Sequence, residues 1–420
     1  MSVATTTAAA ALERHVEPGR RVLLGTAAGA ATTLQRALAQ QRDRLAGIRL
    51  CGGMQLGGYD FIDAVRSGHA SYDTWHVTPP IRDDVARGDV GFHLVRGGAV
   101  PRAIERLAPD VFLTVVSPPD RDGHVSFGAS VSYALGALDH VPTVIAEVNP
   151  EMPVTRGRTR VPVERFAALV DAEHPLPTHV ARQPSDAEAA IAAHLRELVP
   201  DDATVQIGLG GVPEALVTHW AQEPPPGLRL FGMGIDAMVP LLRTLDRPGA
   251  FVGGELLGSE LLYRYAHEQP TIEQYPIAEI LSVPRLAAIP RFVSVNGAVE
   301  VDLHGQVNAE FAGGRQVSGP GGSFDFLDAA TLSDGGLSIV ALRSTARGGT
   351  VSAIVPALLT GTPVTAPRHA VQVIVTEHGV ADLRGRTLAQ RAAALIEIAA
   401  PAFREELERA VGEERVRVRA

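Results

Sequence analysis

Cysteine is nearly absent from this 420-residue chain: Cys51 is the only one. A lone thiol cannot close an intrachain disulfide, so nothing in the sequence calls for an oxidising compartment, and Cys51 is expected to be a small buried hydrophobe. Long apolar runs are missing as well. No stretch approaches the roughly 20 residues of a membrane span. Residues 1–11 are Ala/Thr-rich, with no basic segment ahead of an apolar core, and read as a frayed tail rather than a leader. The cytoplasm is the expected location. There is also no basic stripe. Lys plus Arg total 38 against 47 Asp plus Glu, a net charge of −9, which excludes the clustered positive charge of a nucleic-acid binder. No His/Cys/Asp spacing suggests a metal site.

What is present fits a globular protein of more than one core. At 420 residues, with 45% hydrophobic and 20% charged residues, two domains of roughly 200 residues each are expected, while 42 Gly and 30 Pro suggest many tight turns. Val22–Leu24 leads into a glycine turn holding Gly25 and Gly29, then a helical stretch from Thr33 to Arg44. The pattern recurs where Val205–Ile207 runs into Gly208-Leu209-Gly210-Gly211 and a helix over Glu214–Gln222. Two such openings suggest two similar α/β halves with mostly parallel sheets covered by helices. Val111–Val116, Thr143–Val148, Phe292–Val295, Leu337–Leu342 and Val371–Val375 read as strands buried on both faces. A Pro/Thr/Ser-rich passage precedes a helix over Asp186–Leu198, which sets the expected boundary: an N-terminal domain of 1–185 and a C-terminal domain of 186–420. Gly313–Gly322, with five glycines and one proline, is either a surface loop or backbone that approaches a ligand closely.

The turn at 208–211 places backbone N–H groups at a helix start, where they can meet an anion or a developing oxyanion. A tight corner needs the same glycines without any ligand, so the turn alone does not decide. It is neither a P-loop nor a dinucleotide fingerprint.

Six passages, in order, carry a resemblance that does decide. Val115-Val116-Ser117-Pro118-Pro119-Asp120 followed by Gly123-His124-Val125-Ser126-Phe127-Gly128 resembles the "VSPPDxxGxxSxG" segment of acetyl-CoA hydrolases and 4-hydroxybutyrate CoA-transferases. Val148-Asn149-Pro150-Glu151-Met152-Pro153 resembles their "VN..MP" turn, and the 208–213 turn their "GxGxxP". Asn296 to Asn308 is similar to "N.A.E.DL.GQVN", Ser344 to Ser352 to "STA..GT.S", and Val375 to Gly385 to "VTE.G.ADLRG". The resemblance implies two tandem CoA-transferase-type domains with the active site at their interface. It implies a CoA thioester as substrate, and a small carboxylate or other acyl acceptor as its partner. Enzymes of this family move CoA between carboxylates through an acyl anhydride and a covalent glutamyl-CoA thioester, which splits one hard step into two. Backbone donors carry over onto Leu209, Gly210 and Gly211 and onto Gly348 and Gly349, and substrate contacts onto Asn149, Met152, Gly232 and His378. A homodimer is the expected assembly.

One position departs. The family nucleophile, a Glu about two dozen residues after the glycine turn in "GxHTEM.SDG", aligns through Met233 and Asp236 onto Gly232. No Glu occurs between Gly227 and Gly253. The next carboxylate, Glu255, stands in an apolar strand ending and is the candidate catalytic residue, as relocated nucleophile or general base; a structural or substrate-facing role and plain exposure are the alternatives. Asp236 is expected to be structural. Glu300 and Asp302 share a strand face and are expected to bond within their domain, while His304 and His378 are either acid–base groups or ordinary loop histidines. Without a nucleophile, hydrolysis, direct acyl transfer or a silent CoA-binding role are the competing readings.

Overall fold

The computed structural model describes residues 5–417. Two compact units emerge: the chain up to Val180 joined by Gly232–Leu281, and Ala181–Phe231 joined by Ser282 onward. A single cut at 185 misplaces 232–281, because that stretch returns to make its backbone bonds with the 129–132 loop of the first unit.

The first unit is built on a seven-stranded, all-parallel sheet of β1 (Arg21–Leu24), β2 (Ile48–Gly52), β3 (Ala70–Thr74), β4 (Gly91–Phe92), β5 (Val111–Val116), β6 (Thr143–Val148) and β7 (Ala168–Asp171) in the order β7-β6-β5-β1-β2-β3-β4. The central β5 is buried at every position, as expected of a run that is apolar at all but Thr114. Phe112, Phe127, Val131, Tyr133 and Ala137 join it in one core. The expected frayed tail is corrected here. Thr7 caps a helix over Ala8–His15 whose Ala8, Ala11 and Leu12 are buried, and the Thr6 N–H bonds to the Leu169 carbonyl at 2.9 Å. Small side chains allow that close docking. Residues 1–4 of the expected tail lie outside the described residues.

The second unit holds four parallel strands, β8 (Thr204–Ile207), β9 (Phe292–Gly297), β10 (Leu337–Ala341) and β11 (Val373–Thr376), side by side in that order. An antiparallel β12 (Gly379–Asp382) pairs with β11. The helix Ser323–Leu332 packs on β9 and β10, and the helix Asp186–Leu198 on the helix Gly211–Trp220. The fold class is α/β, with two tandem domains whose sheets are mostly parallel and helix-covered. Between β9 and Ser323 the Gly313–Gly322 segment is not wholly irregular: Phe311–Ala312 and Arg315–Gln316 pair as a small hairpin turned by Gly313 and Gly314.

Candidate active site

In the second unit the chemistry-bearing groups gather at the carboxyl ends of the parallel strands, where open α/β sheets bind ligands. β8 ends in Gly208-Leu209-Gly210, and Gly210 has φ +127°, a conformation closed to L side chains. A Cβ at Gly208 or Gly210 would meet nothing within 4 Å, so open space lies over both. The corresponding turn of the first unit is packed shut, since a Cβ on Gly25 would strike the Gly29 carbonyl. Similar sequence openings thus serve different ends. Gly211 is a packing glycine: its Cα rests on the Glu188 carboxyl. That carboxyl completes a capping box with Ser185 and pairs with Arg182, whose guanidinium holds it down at about 2.

Next to β8, β9 ends in Asn296, whose Nδ2 donates to Gln206 Oε1 (3.1 Å) and Ser294 Oγ (2.8 Å), while Ser294 Oγ donates to Gln206 Oε1 (2.8 Å). Beyond β10, Ser344 is fully buried and bound twice by Glu377, its N–H to Oε2 at 2.8 Å and its Oγ to Oε1 at 2.7 Å. Burial works against the Glu377 charge, but these bonds from Ser344, together with the Glu377 N–H and the neighbouring His378, outweigh it and hold the carboxyl below its usual range. His378 Nε2 stands 3.9 Å from Glu377 Oε1. The clamp anchors a loop in which Arg347, Gly348 and Gly349 take φ of +50°, +67° and +91° in succession. Space is open over Gly348 and Gly349 as well. Neither the Gln206–Ser294–Asn296 cluster nor the Ser344–Glu377 clamp was legible beforehand, because each joins side chains from strands far apart in sequence.

Gly232 and Glu255 belong to the first unit. Gly232 has φ +104°, so a glutamate there would be strained in this backbone. Glu255 sits in the strand Phe251–Leu256, caged by three backbone bonds: Leu256 N–H to the Ala129 carbonyl (2.7 Å), and Val131 and Ser132 N–H to the Gly254 carbonyl (3.1 and 3.0 Å). The residue is partly exposed, yet its Oε2 is sealed and has no hydrogen-bond partner. Burial pushes the carboxyl up to about 8 against the opposing pull of the Ser130 and Ser132 hydroxyls.

The other expected contacts are largely engaged in their own loops. Asn149 is buried, with Nδ2 donating to the His174 carbonyl (3.0 Å) and Oδ1 accepting from the Glu151 N–H (2.9 Å). Met152 is buried, and its Sδ accepts from the Ala129 N–H (3.2 Å). Asp236 accepts from the Ser259 N–H at 2.9 Å, bracing the start of the helix Glu260–Ala266. Glu300 takes the Asn308 amide (2.9 Å), and Asp302 holds the His304 and Gln306 turn. Cys51 is buried, its thiol pushed up to about 12 by that burial. Among the described residues no cluster of His, Cys, Asp or Glu could hold a metal, and no helix is long and apolar enough to cross a membrane.

Family models agree with this arrangement: the acetyl-CoA hydrolase/transferase N-terminal domain matches residues 5–179 and its C-terminal domain residues 258–411. The 4-hydroxybutyrate coenzyme A transferase of Clostridium kluyveri is 35% identical over 402 residues, 93% of this chain and 94% of that one. The chain belongs to the acetyl-CoA hydrolase/transferase family. A second relative is the succinyl-CoA:cyclohexane-1-carboxylate CoA transferase of Geobacter metallireducens, 33% identical over 93% of this chain and 91% of its own. Among solved structures, RipA from Yersinia pestis superposes with a TM-score of 0.90 at 28% identity, over 98% of this chain and 97% of that one. Family members include both CoA transferases and an acetyl-CoA hydrolase. The glycine turn at 208–211, Gly232 and Glu255 all fall between the two matched stretches.

Proposed function

We propose that this chain is an acyl-CoA-dependent transferase that polarises a CoA thioester with the backbone donors of Leu209–Gly210 and Gly348–Gly349. It then passes the acyl group directly to an acceptor, without a glutamyl-CoA intermediate. The observation that carries the reading is the pair of open turns on the second unit, where glycine is required by φ while the space over it is empty. Donors fixed there can bind the oxyanion that forms on the thioester carbon, and fixed donors need no reorganisation during reaction.

The acceptor follows from the family. A small carboxylate that attacks the thioester carbonyl expels the CoA thiolate and leaves an acyl anhydride. The thiolate then attacks the acceptor-derived carbonyl of that anhydride, giving the new thioester and releasing the first carboxylate. Water in place of the carboxylate gives a free acid and CoA, which is the hydrolase outcome. Glycine at 232 cannot enter either cycle, and the burial that raises the Glu255 carboxyl works against the charged form a nucleophile needs. The reading includes a cytoplasmic homodimer, which light scattering on the purified protein tests. Incubation with short acyl-CoAs, with and without carboxylates, tests the activity. The proposal expects CoA release or exchange that Gly349→Val removes; no consumption of any acyl-CoA overturns it in favour of a silent CoA-binding family member.

A further inference from the structure

Three polar side chains at the ends of two neighbouring strands of the second unit bond to one another and leave one atom spare. Gln206 and Ser294 are partners in the parallel register of β8 and β9, so Asn296, two residues on, comes level with Gly208. The side chains of Gln206, Ser294 and Asn296 share one face of the sheet. Gln206 is 2% exposed and Ser294 is fully buried. Gln206 Oε1 accepts from both Ser294 Oγ (2.8 Å) and Asn296 Nδ2 (3.1 Å), and Ser294 Oγ accepts from the same Nδ2 (2.8 Å). This closed triangle holds the Asn296 amide by its nitrogen. Its Oδ1 is therefore turned away, and among the described residues no group donates to it. Asn296 is only partly buried, and open space lies over its neighbours Gly208 and Gly297. Two apolar residues would fill the positions of Gln206 and Ser294 with no bonds to satisfy, so packing alone does not call for the triangle.

We infer that Gln206 is a positioning residue of the reaction: through Asn296 Nδ2 it aims Asn296 Oδ1 into the open space beside Gly208, as a fixed acceptor for a hydrogen of the ligand. The inference rests on the acyl-CoA reading above. An amide oxygen has only lone pairs to offer, so it cannot join the backbone donors that receive the oxyanion. It takes a donor instead. Within an acyl-CoA reaction two groups bring one: the amide N–H of the CoA arm nearest the sulfur, and the O–H of a water or hydroxyl acceptor that attacks the thioester.

The test sets Gln206→Met, which keeps the length and loses the amide, against Gln206→Glu, which keeps an oxygen for the two donors. Each is assayed on a short acyl-CoA and on the ethyl thioester of the same acid, which has no amide. Expected is roughly a tenfold or greater loss of kcat/KM in the Met variant, with most of it retained in the Glu variant. A loss confined to acyl-CoA and carried by KM identifies the N–H of the CoA arm. An equal fall of kcat on both thioesters identifies the O–H of the attacking group. A Met variant that only melts lower, and turns both thioesters over like the wild type, overturns the inference. Should neither variant fold, NMR of the wild-type protein carrying isotope-labelled asparagine decides, since Asn149, Asn296 and Asn308 are the only asparagines in the chain. The Asn296 side-chain amide, recognised by its absence from Asn296→Asp, must exchange its hydrogens with solvent more slowly than free asparagine. Exchange at the free rate overturns the inference, because the nitrogen and not Oδ1 would then face the open space. If no thioester is turned over at all, the proposed function fails, while the exchange result still decides whether Gln206 holds Asn296 as inferred.

Discussion

Raising the pH from about 4.5 to 8 should destabilise the first unit, and two buried glutamates set the size of the effect. Glu147 on β6 is 2% exposed and accepts the Leu34 N–H at 2.7 Å, at the start of the helix Thr32–Gln40. Burial lifts its carboxyl to about 7, more than that N–H and the Thr33 groups lower it, while Glu255 is lifted to about 8. Both folded values lie above the unfolded 4.5. Each group therefore contributes stability that is fully present below pH 4.5 and is lost as pH rises through its folded value. At ~1.4 kcal/mol per unit, the upper bounds are about 3 kcal/mol for Glu147, complete near pH 7, and about 5 kcal/mol for Glu255, complete near pH 8. For a unit of roughly 200 residues each kcal/mol moves the melting temperature by ~2–4 °C. Scanning calorimetry from pH 5 to 8.5 should show a fall on the order of 10 °C or more in the transition of this unit. Glu147→Gln should remove about half of the fall below pH 7 and leave the fall above it, while Glu255→Gln should remove the other half and the part that continues to pH 8. A melting temperature that stays level or rises over this range, or Gln variants that keep the wild-type slope, would refute the burial argument.

Three further outcomes follow from the packing. Gly210→Ala should fold, at a strain cost of about 1–2 kcal/mol, and lose most acyl-CoA turnover. Gly25→Ala, driven into the Gly29 carbonyl, should cost several kcal/mol; equal stability losses would mean that the space over Gly210 is not open. Glu188→Ala removes a capping box and should lower stability by about 1–2 kcal/mol, measured by denaturant unfolding at pH 7. That loss should shrink as the pH falls from 4.5 towards 2, where the wild-type carboxyl itself protonates. Glu377→Gln unseats Ser344 and should lower kcat more than the melting temperature, about 1–3 kcal/mol of stability being at stake; an unchanged kcat would detach the clamp from the reaction.

Runs such as Val111–Val116 and Thr143–Val148 declare their strands residue for residue, because these mostly apolar, β-branched runs are bounded by Asp110 and Ser117 and by Pro142 and Asn149. The helix Asp186–Leu198 is equally plain, with Ser185 and Glu188 forming its capping box. Three things were not legible. The Ala-rich stretch before His15 gives little apolar contrast, so its buried helix passed as a tail. The return of 232–281 to the first unit depends on backbone bonds between Gly254–Leu256 and residues 129–132, which leave no mark on composition. And Gly25 and Gly210 read alike as letters, whereas only the fold shows one packed and the other open. Family motifs marked the loops that hold Ser344 and Glu377 but not that the two side chains meet.

Mass spectrometry of the intact protein after incubation with short acyl-CoAs, with and without carboxylate acceptors, bears most directly on the central claim. Direct transfer predicts that acyl-CoA is consumed while the protein mass stays unchanged. A CoA adduct that maps to Glu255 and vanishes in Glu255→Gln would contradict it and establish a relocated nucleophile.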